Sequence, residues 1–261
     1  RLYALRYIYS YILLNYLPPS LITYIDTREE SIGWFSWMQE QQINNVTWIE
    51  SDLARYNAIN KQIQDSALSI KLNMQTIGPI TEEASYFSYS VSQENGLTPI
   101  HYLQNIWKNI AERSHDRRDV LSLSEVLDVE TEHQWIVIDS LNGLEILNAH
   151  LDQLQNVDLI ILRTLPNIQM EAFEVLTNNL EQVGFKLLGK YGTNFPELMR
   201  VIYVRNYPTL YTQTAKQYVD LKSQYQVLSE DLLELQHNYN ELEAIKSDVE
   251  ITQEKLAIVS Y

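Results

Sequence analysis

The 261-residue chain has no cysteine, which excludes a disulfide scaffold, a thiolate metal site and a cysteine nucleophile, and leaves the redox compartment open. Basic residues are few, 19 Lys and Arg against 34 Asp and Glu. The resulting formal charge of -15 argues against a nucleic-acid or anionic-membrane surface, because phosphate binding needs clustered cations. Glycine is scarce, only seven residues, so there are few places where a ligand can lie directly against the backbone. No apolar run approaches the ~18 residues of a membrane span. His101, His115, His133 and His150 show no metal-binding spacing. The chain opens on Arg1 instead of Met, as expected of a piece cut from a longer protein with further domains.

What is present is enough for one α/β domain and an appendage, with 45% hydrophobic residues. Two segments stand out. Val46-Thr47-Trp48-Ile49 ends on Glu50, and Trp135-Ile136-Val137-Ile138 ends on Asp139. Apolar, β-branched runs that stop on an acid read as buried parallel strands opening onto a ligand crevice. A carboxylate in that place can accept both hydroxyls of a ribose. Leu21 to Ile25, ending on Asp26, is a third such run.

Around these runs, strand and helix alternate with short connections, the doubly wound pattern. Helices are expected at Ile32–Gln41, Ala54–Gln64, Gly143–Gln155 and Glu171–Val183, the last stopped by Gly184. Further strands are expected at Ile70–Ile77, Ala84–Val91, Asp158–Leu162, Phe185–Leu188 and Val201–Val204. Gln93 to Arg118 reads as a mobile loop or insertion, and Ser122 to Leu127 as a short helix. Residues 1–20 read as an amphipathic packing helix, 21–207 as the domain and 208–261 as a coiled coil.

The coiled-coil expectation rests on Tyr218, Leu221, Tyr225, Leu228, Leu232, Leu235, Tyr239 and Leu242, spaced by alternating threes and fours. An extra step of three to Ile245 is a stammer, after which the repeat resumes through Val249, Thr252, Leu256 and Val259. A homo-oligomer, or a partner helix held through 210–261, follows from that seam. A single amphipathic helix packed back on the domain is the alternative.

Together these segments resemble the FkbM-type family of S-adenosylmethionine-dependent methyltransferases over roughly Leu21 to Asn206. Ile25-Asp26 followed by Ile32-Gly33-Trp34-Phe35-Ser36 is similar to its first motif. Trp48 through Asp52 resembles its second, Ile59-Asn60 its Leu-x-x-Asn helix, and Val183-Gly184-Phe185 the start of its late hairpin. Ile138-Asp139 through Gly143-Leu144-Glu145-Ile146-Leu147 is similar to its Asp-x-Glu-Gly-x-Glu stretch. The resemblance implies a Rossmann-like class I methyltransferase fold in a cytoplasmic protein. It implies S-adenosylmethionine as cofactor, held by Asp26, Gly33, Glu50 and Asp52, with Asp139 as the catalytic acid-base group. The acceptor would be a sugar or glycan hydroxyl.

Three departures point the other way. The first turn, Thr27-Arg28-Glu29-Glu30-Ser31, lacks the family's glycines, so its side chains would stand where the cofactor lies. Leu141 replaces the acid two positions after Asp139, and Arg163 stands at the end of the fifth strand, a position often acidic. The alternative is therefore an inactive methyltransferase-like scaffold in a larger, polysaccharide-biosynthesis type of protein, oligomerised or spaced by its coiled coil. On that reading Glu50 is a strand-end acid capping the next helix, Asp26 a turn residue and Asp139 a helix cap. A nucleotide-sugar transferase ranks last, since no Asp-x-Asp metal motif is evident.

Overall fold

A computed structural model describes residues 17–28, 31–66 and 68–259. The expected helix at 1–20 falls almost wholly outside the described residues. The chain divides into two compact units, Arg1–Asn206 and Tyr207–Tyr261.

The first unit is built on a seven-stranded sheet in the order β3-β2-β1-β7-β8-β10-β9. Its strands are β1 (Leu21–Ile25), β2 (Val46–Glu50), β3 (Ile70–Met74), β7 (Gln134–Ile138), β8 (Val157–Thr164), β9 (Phe185–Gly192) and β10 (Met199–Arg205). All neighbours are parallel except β10, which runs antiparallel to both β8 and β9. This is the Rossmann-like class I methyltransferase arrangement. The chain winds outward from β1 to β3, returns to lie beside β1 as β7, and winds the other way. That reversal opens a crevice at the carboxyl ends of β1 and β7.

Alternate residues of each strand feed two separate cores, because side chains in a strand point to opposite faces. Ile22, Tyr24, Trp48, Trp135 and Val137 pack with Phe35, Trp37 and Met38 of helix α1 (Ser31–Glu40) and Ile59 of α2 (Leu53–Gln64). On the other face, Ile25, Ile49, Ile136, Ile138 and Leu162 pack with α4 (Gly143–Asn148) and α5 (Met170–Gln182). Gly184, at φ +89°, ends α5 in the left-handed conformation that its sequence suggested.

The crossover from β3 to β7 is unusual for such a fold. In place of a long helix it carries a three-stranded sheet, β4 (Thr76–Gly78), β5 (Glu82–Tyr89) and β6 (Glu112–Ser122), ordered β4-β6-β5. Between β5 and β6 lie a 3-10 turn, Ser92–Glu94, and the single-turn helix α3 (Ile100–Leu103). The expected Gln93–Arg118 loop is thus an ordered insertion, and its charged His115–Arg118 run is strand. The expected strand Ile70–Ile77 breaks at Gln75 and serves both sheets. The expected helix Gly143–Gln155 stops at Asn148, with a 3-10 turn at Leu151–Gln153.

The second unit is one 53-residue helix, α6 (Tyr207–Val259), about 80 Å long at 1.5 Å per residue. Pro208 falls in its first turn, where the missing N–H costs nothing.

Candidate functional site

Three adjacent strands end on carboxylates at the crevice. Asp26 follows β1 with φ +55°, a left-handed turn that Asp tolerates better than most residues and that redirects the chain across the strand ends. Its Oδ1 accepts from the Ser51 backbone N–H at 3.1 Å and the Ser51 hydroxyl at 2.6 Å. Glu50 closes β2 and is fully buried. Its Oε2 accepts from the Thr27 N–H at 3.1 Å. Its Oε1 accepts from the Ser51 N–H at 3.1 Å and from Arg55, whose Nε and Nη2 both lie at 2.8 Å. Asp139 follows β7, also fully buried. Arg200 grips it with Nη1 at 2.6 Å from Oδ1 and Nη2 at 3.3 Å from Oδ2, while the Tyr24 hydroxyl donates to Oδ2.

The remaining members are arginines and a strap of backbone. Arg28 enters the crevice from the turn after β1, its side chain 1% exposed. Its Nη1 donates to the carbonyls of Gln93 at 3.1 Å and Asn95 at 2.8 Å, and its Nη2 lies 3.7 Å from Asp26. Arg55 reaches the same strap, donating to the carbonyls of Ser92, Gln93 and Asn95 at 3.1–3.2 Å. Asp52 caps α2, accepting from the N–H groups of Ala54 and Arg55 at 3.0 Å, and its other oxygen accepts from Asn95 Nδ2 at 2.9 Å. Gly96 brings the strap close: a Cβ there would stand 2.6 Å from Arg28 Nη2.

From within the strap Glu94 forms a buried fork with Arg163, whose Nη2 lies at 2.6 Å from Oε1 and Nη1 at 3.1 Å from Oε2. Trp107 Nε1 adds a third bond to Glu94 at 3.2 Å. Beyond it the insertion turns apolar. Tyr89, Leu103, Ile106 and Ile110 pack on Leu141, Leu165 and Leu198, over the ends of β7, β8 and the β9–β10 hairpin.

Charge follows from this packing. Burial and the nearby Asp26 charge push the Glu50 pKa up to about 7, against the pull of Arg55 and Arg28. Glu94 is held below the ordinary carboxylate range; although burial opposes ionisation, Arg163 and Arg28 prevail. Asp52 is likewise lowered, burial being outweighed by the bonds from Asn95 and from the α2 backbone. Among the described residues no cluster of His, Asp or Glu has the form of a metal site.

Compared with known proteins, the sequence matches no family model and no curated protein. Solved structures are remotely similar. A candidate tRNA methyltransferase of Streptococcus pneumoniae superposes with a TM-score of 0.45 at 10% identity, covering 76% of this chain and 69% of its own. An S-adenosylmethionine-dependent methyltransferase from Clostridium acetobutylicum gives 0.43 at 7% identity, over 77% and 89%. TrmK of M. capricolum, solved with S-adenosylhomocysteine, gives 0.38 at 10% identity, over 76% and 66%. Likenesses this remote add nothing about chemistry to what the sheet order already gives.

Of the residues singled out in the sequence, Asp26, Glu50 and Asp139 stand at the ends of the neighbouring strands β1, β2 and β7, and Asp52 caps α2 beside them. Asp139 is not a helix cap: Asn142 is the residue preceding α4. Gly33 lies in the first turn of α1, and residues 29–30 before it fall outside the described residues. Arg28 has its side chain in the crevice, as a turn without glycine leads one to expect. The sequence reading missed Arg55, Glu94, Asn95 and Arg200. Only Arg163 left a trace, as a base where an acid was expected, and its partner lies 69 residues away.

In this arrangement the groups at the strand ends bond one another. Glu50 accepts from Arg55, Thr27 and Ser51, and a ribose would have to share the carboxylate oxygens with these donors.

Proposed function

We propose that the first unit is a methyltransferase-like module whose crevice serves to hold the module together instead of performing methyl transfer. One observation carries this reading. The 92–95 backbone, Arg28 and Arg55 occupy the space between the strand-end acids, and each acid is bonded within the chain. Four buried or mostly buried arginines, from a chain with only 19 basic residues, are committed to the same place. The apolar part of the insertion covers the ends of β7, β8 and the β9–β10 hairpin. Such a module would act as a scaffold, carried or spaced by the helix that follows it.

A second reading is favoured by the retention of Asp26, Glu50 and Asp139 at three neighbouring strand ends. It is an S-adenosylmethionine-dependent methyltransferase, acting on a sugar or glycan hydroxyl. It requires the strap and both arginines to leave the crevice together.

Calorimetric titration of S-adenosylmethionine and S-adenosylhomocysteine into the intact chain separates the two. The scaffold reading predicts no binding heat and no rise in melting temperature up to millimolar ligand. Micromolar binding, about -8 kcal/mol, with a matching thermal shift, would establish the enzyme reading.

A further inference from the structure

Outside the crevice, the most exposed apolar feature of the described residues is the stripe along α6. Leu221, Tyr225, Leu228, Leu232, Leu235, Tyr239 and Leu242 are each 60–74% exposed. Their spacing assigns Tyr225, Leu232 and Tyr239 to heptad position a, and Leu221, Leu228, Leu235 and Leu242 to position d. Position d is thus all leucine and position a mostly tyrosine.

We propose that α6 pairs with α6 of a second copy of the chain, antiparallel, about a two-fold axis passing near Glu230. This inference is independent of whether the crevice is catalytic. Side-chain volume supports it first. A parallel pair stacks a on a and d on d, setting Tyr225 against Tyr225 and Leu228 against Leu228. Wide and narrow layers would then alternate along one rod, leaving gaps that cores avoid. An antiparallel pair stacks a on d. Leu221 faces Tyr239 of the second copy, Tyr225 faces Leu235, and Leu228 faces Leu232. Large then meets small in the outer layers, which is how facing positions interdigitate at even spacing. This register also confines the contact to the regular repeat, which ends at the stammer after Leu242.

Charge supports it second. The segment 216–229 carries Lys216 and Lys222 against Asp220, whereas 230–243 carries Glu230, Asp231, Glu234, Glu241 and Glu243 with no Lys or Arg. A parallel pair lays acidic half on acidic half; an antiparallel pair lays each acidic half on a weakly basic one. Lys222 and Glu243 both occupy position e, beside the seam. The antiparallel register brings them together twice, and flanking charges of this kind set helix orientation. In a parallel pair Lys222 would meet Gln217, which is uncharged.

The chain's lack of cysteine makes the test clean, because any introduced thiol is the only one present. Light scattering of the native chain should give twice its 30.6 kDa, and Leu228→Asp should return it to one chain without lowering the melting temperature of the first unit. Next, Leu221→Cys and Tyr239→Cys proteins are mixed, allowed to exchange and oxidised. The antiparallel pair predicts the mixed disulfide and little self-linked product. In a parallel pair residues 221 and 239 are separated by about 27 Å along the axis, far beyond the ~4.4–6.8 Å that a disulfide spans between Cα atoms. A native mass of one chain or of three, or absence of the mixed disulfide, overturns the proposal.

Discussion

At the scale of single residues, the crevice is decided by guanidinium groups. Arg163 and Glu94 are both almost wholly buried, and neither has a place to go if the other is removed. A charge stranded in that position costs about 3–5 kcal/mol, whereas replacing both members of such a pair by apolar groups is often nearly neutral. Glu94→Leu is therefore expected to lose about 3–5 kcal/mol in urea unfolding, and Glu94→Leu combined with Arg163→Met to recover most of it. A double variant as unstable as the single one would contradict that account. Glu50 gives a second expectation. Its pKa is raised in the folded chain, to about 7 from an ordinary 4.5. Between those values the folded state holds a proton that the unfolded chain has lost, so stability falls as pH rises from 4.5 to 7. Glu94 and Asp52, both lowered, act in the opposite sense, and their contribution is lost only on acidification below the ordinary carboxylate range. Melting temperature should rise as pH is brought from 7.5 to 5.5, and Glu50→Gln should flatten that rise. Parallel profiles for the two proteins would exclude Glu50 as its source.

At the scale of elements, the insertion between β3 and β7 is part of the fold and not a detachable lid. Leu103 is fully buried among Tyr89, Ile106, Leu141 and Leu165. Leu103→Ala should cost about 2–5 kcal/mol, as truncation in a packed core does; a loss under ~1 kcal/mol would mark the insertion as a lid that opens easily. The sequence announced β1, β2, β7 and β8 because buried parallel strands are continuous apolar runs, and such runs have few other uses. It was silent on β6. Glu112 to Asp119 has no apolar alternation, since that part of the strand is exposed or half-buried, and pairing with β5 makes it a strand. The site was half legible for a related reason. Acids at strand ends are local patterns, so Asp26, Glu50 and Asp139 could be read. Arg200 reaches Asp139 from 61 residues away and Arg163 reaches Glu94 from 69, and no local period encodes contacts of that reach.

At the scale of the whole molecule, a methyltransferase-like sheet is joined to a long helix with an open apolar seam, in a chain of strong negative charge. The helix was evident from its heptads alone, and its missing glycines and interior prolines allowed 53 residues without a break. On the proposed reading the crevice of the other unit is closed by its own 91–96 strap. Hydrogen exchange tests it most directly. The N–H groups of Phe87, Glu94 and Gly96 donate to Gly96, Val91 and Phe87, locking the strap at both ends. If the crevice is closed as described, these amides exchange as slowly as those of Ile136 to Ile138 in β7, with or without millimolar S-adenosylmethionine. Rapid exchange in the free protein, or exchange that changes when the cofactor is added, would show a strap that yields to a ligand and would contradict the account.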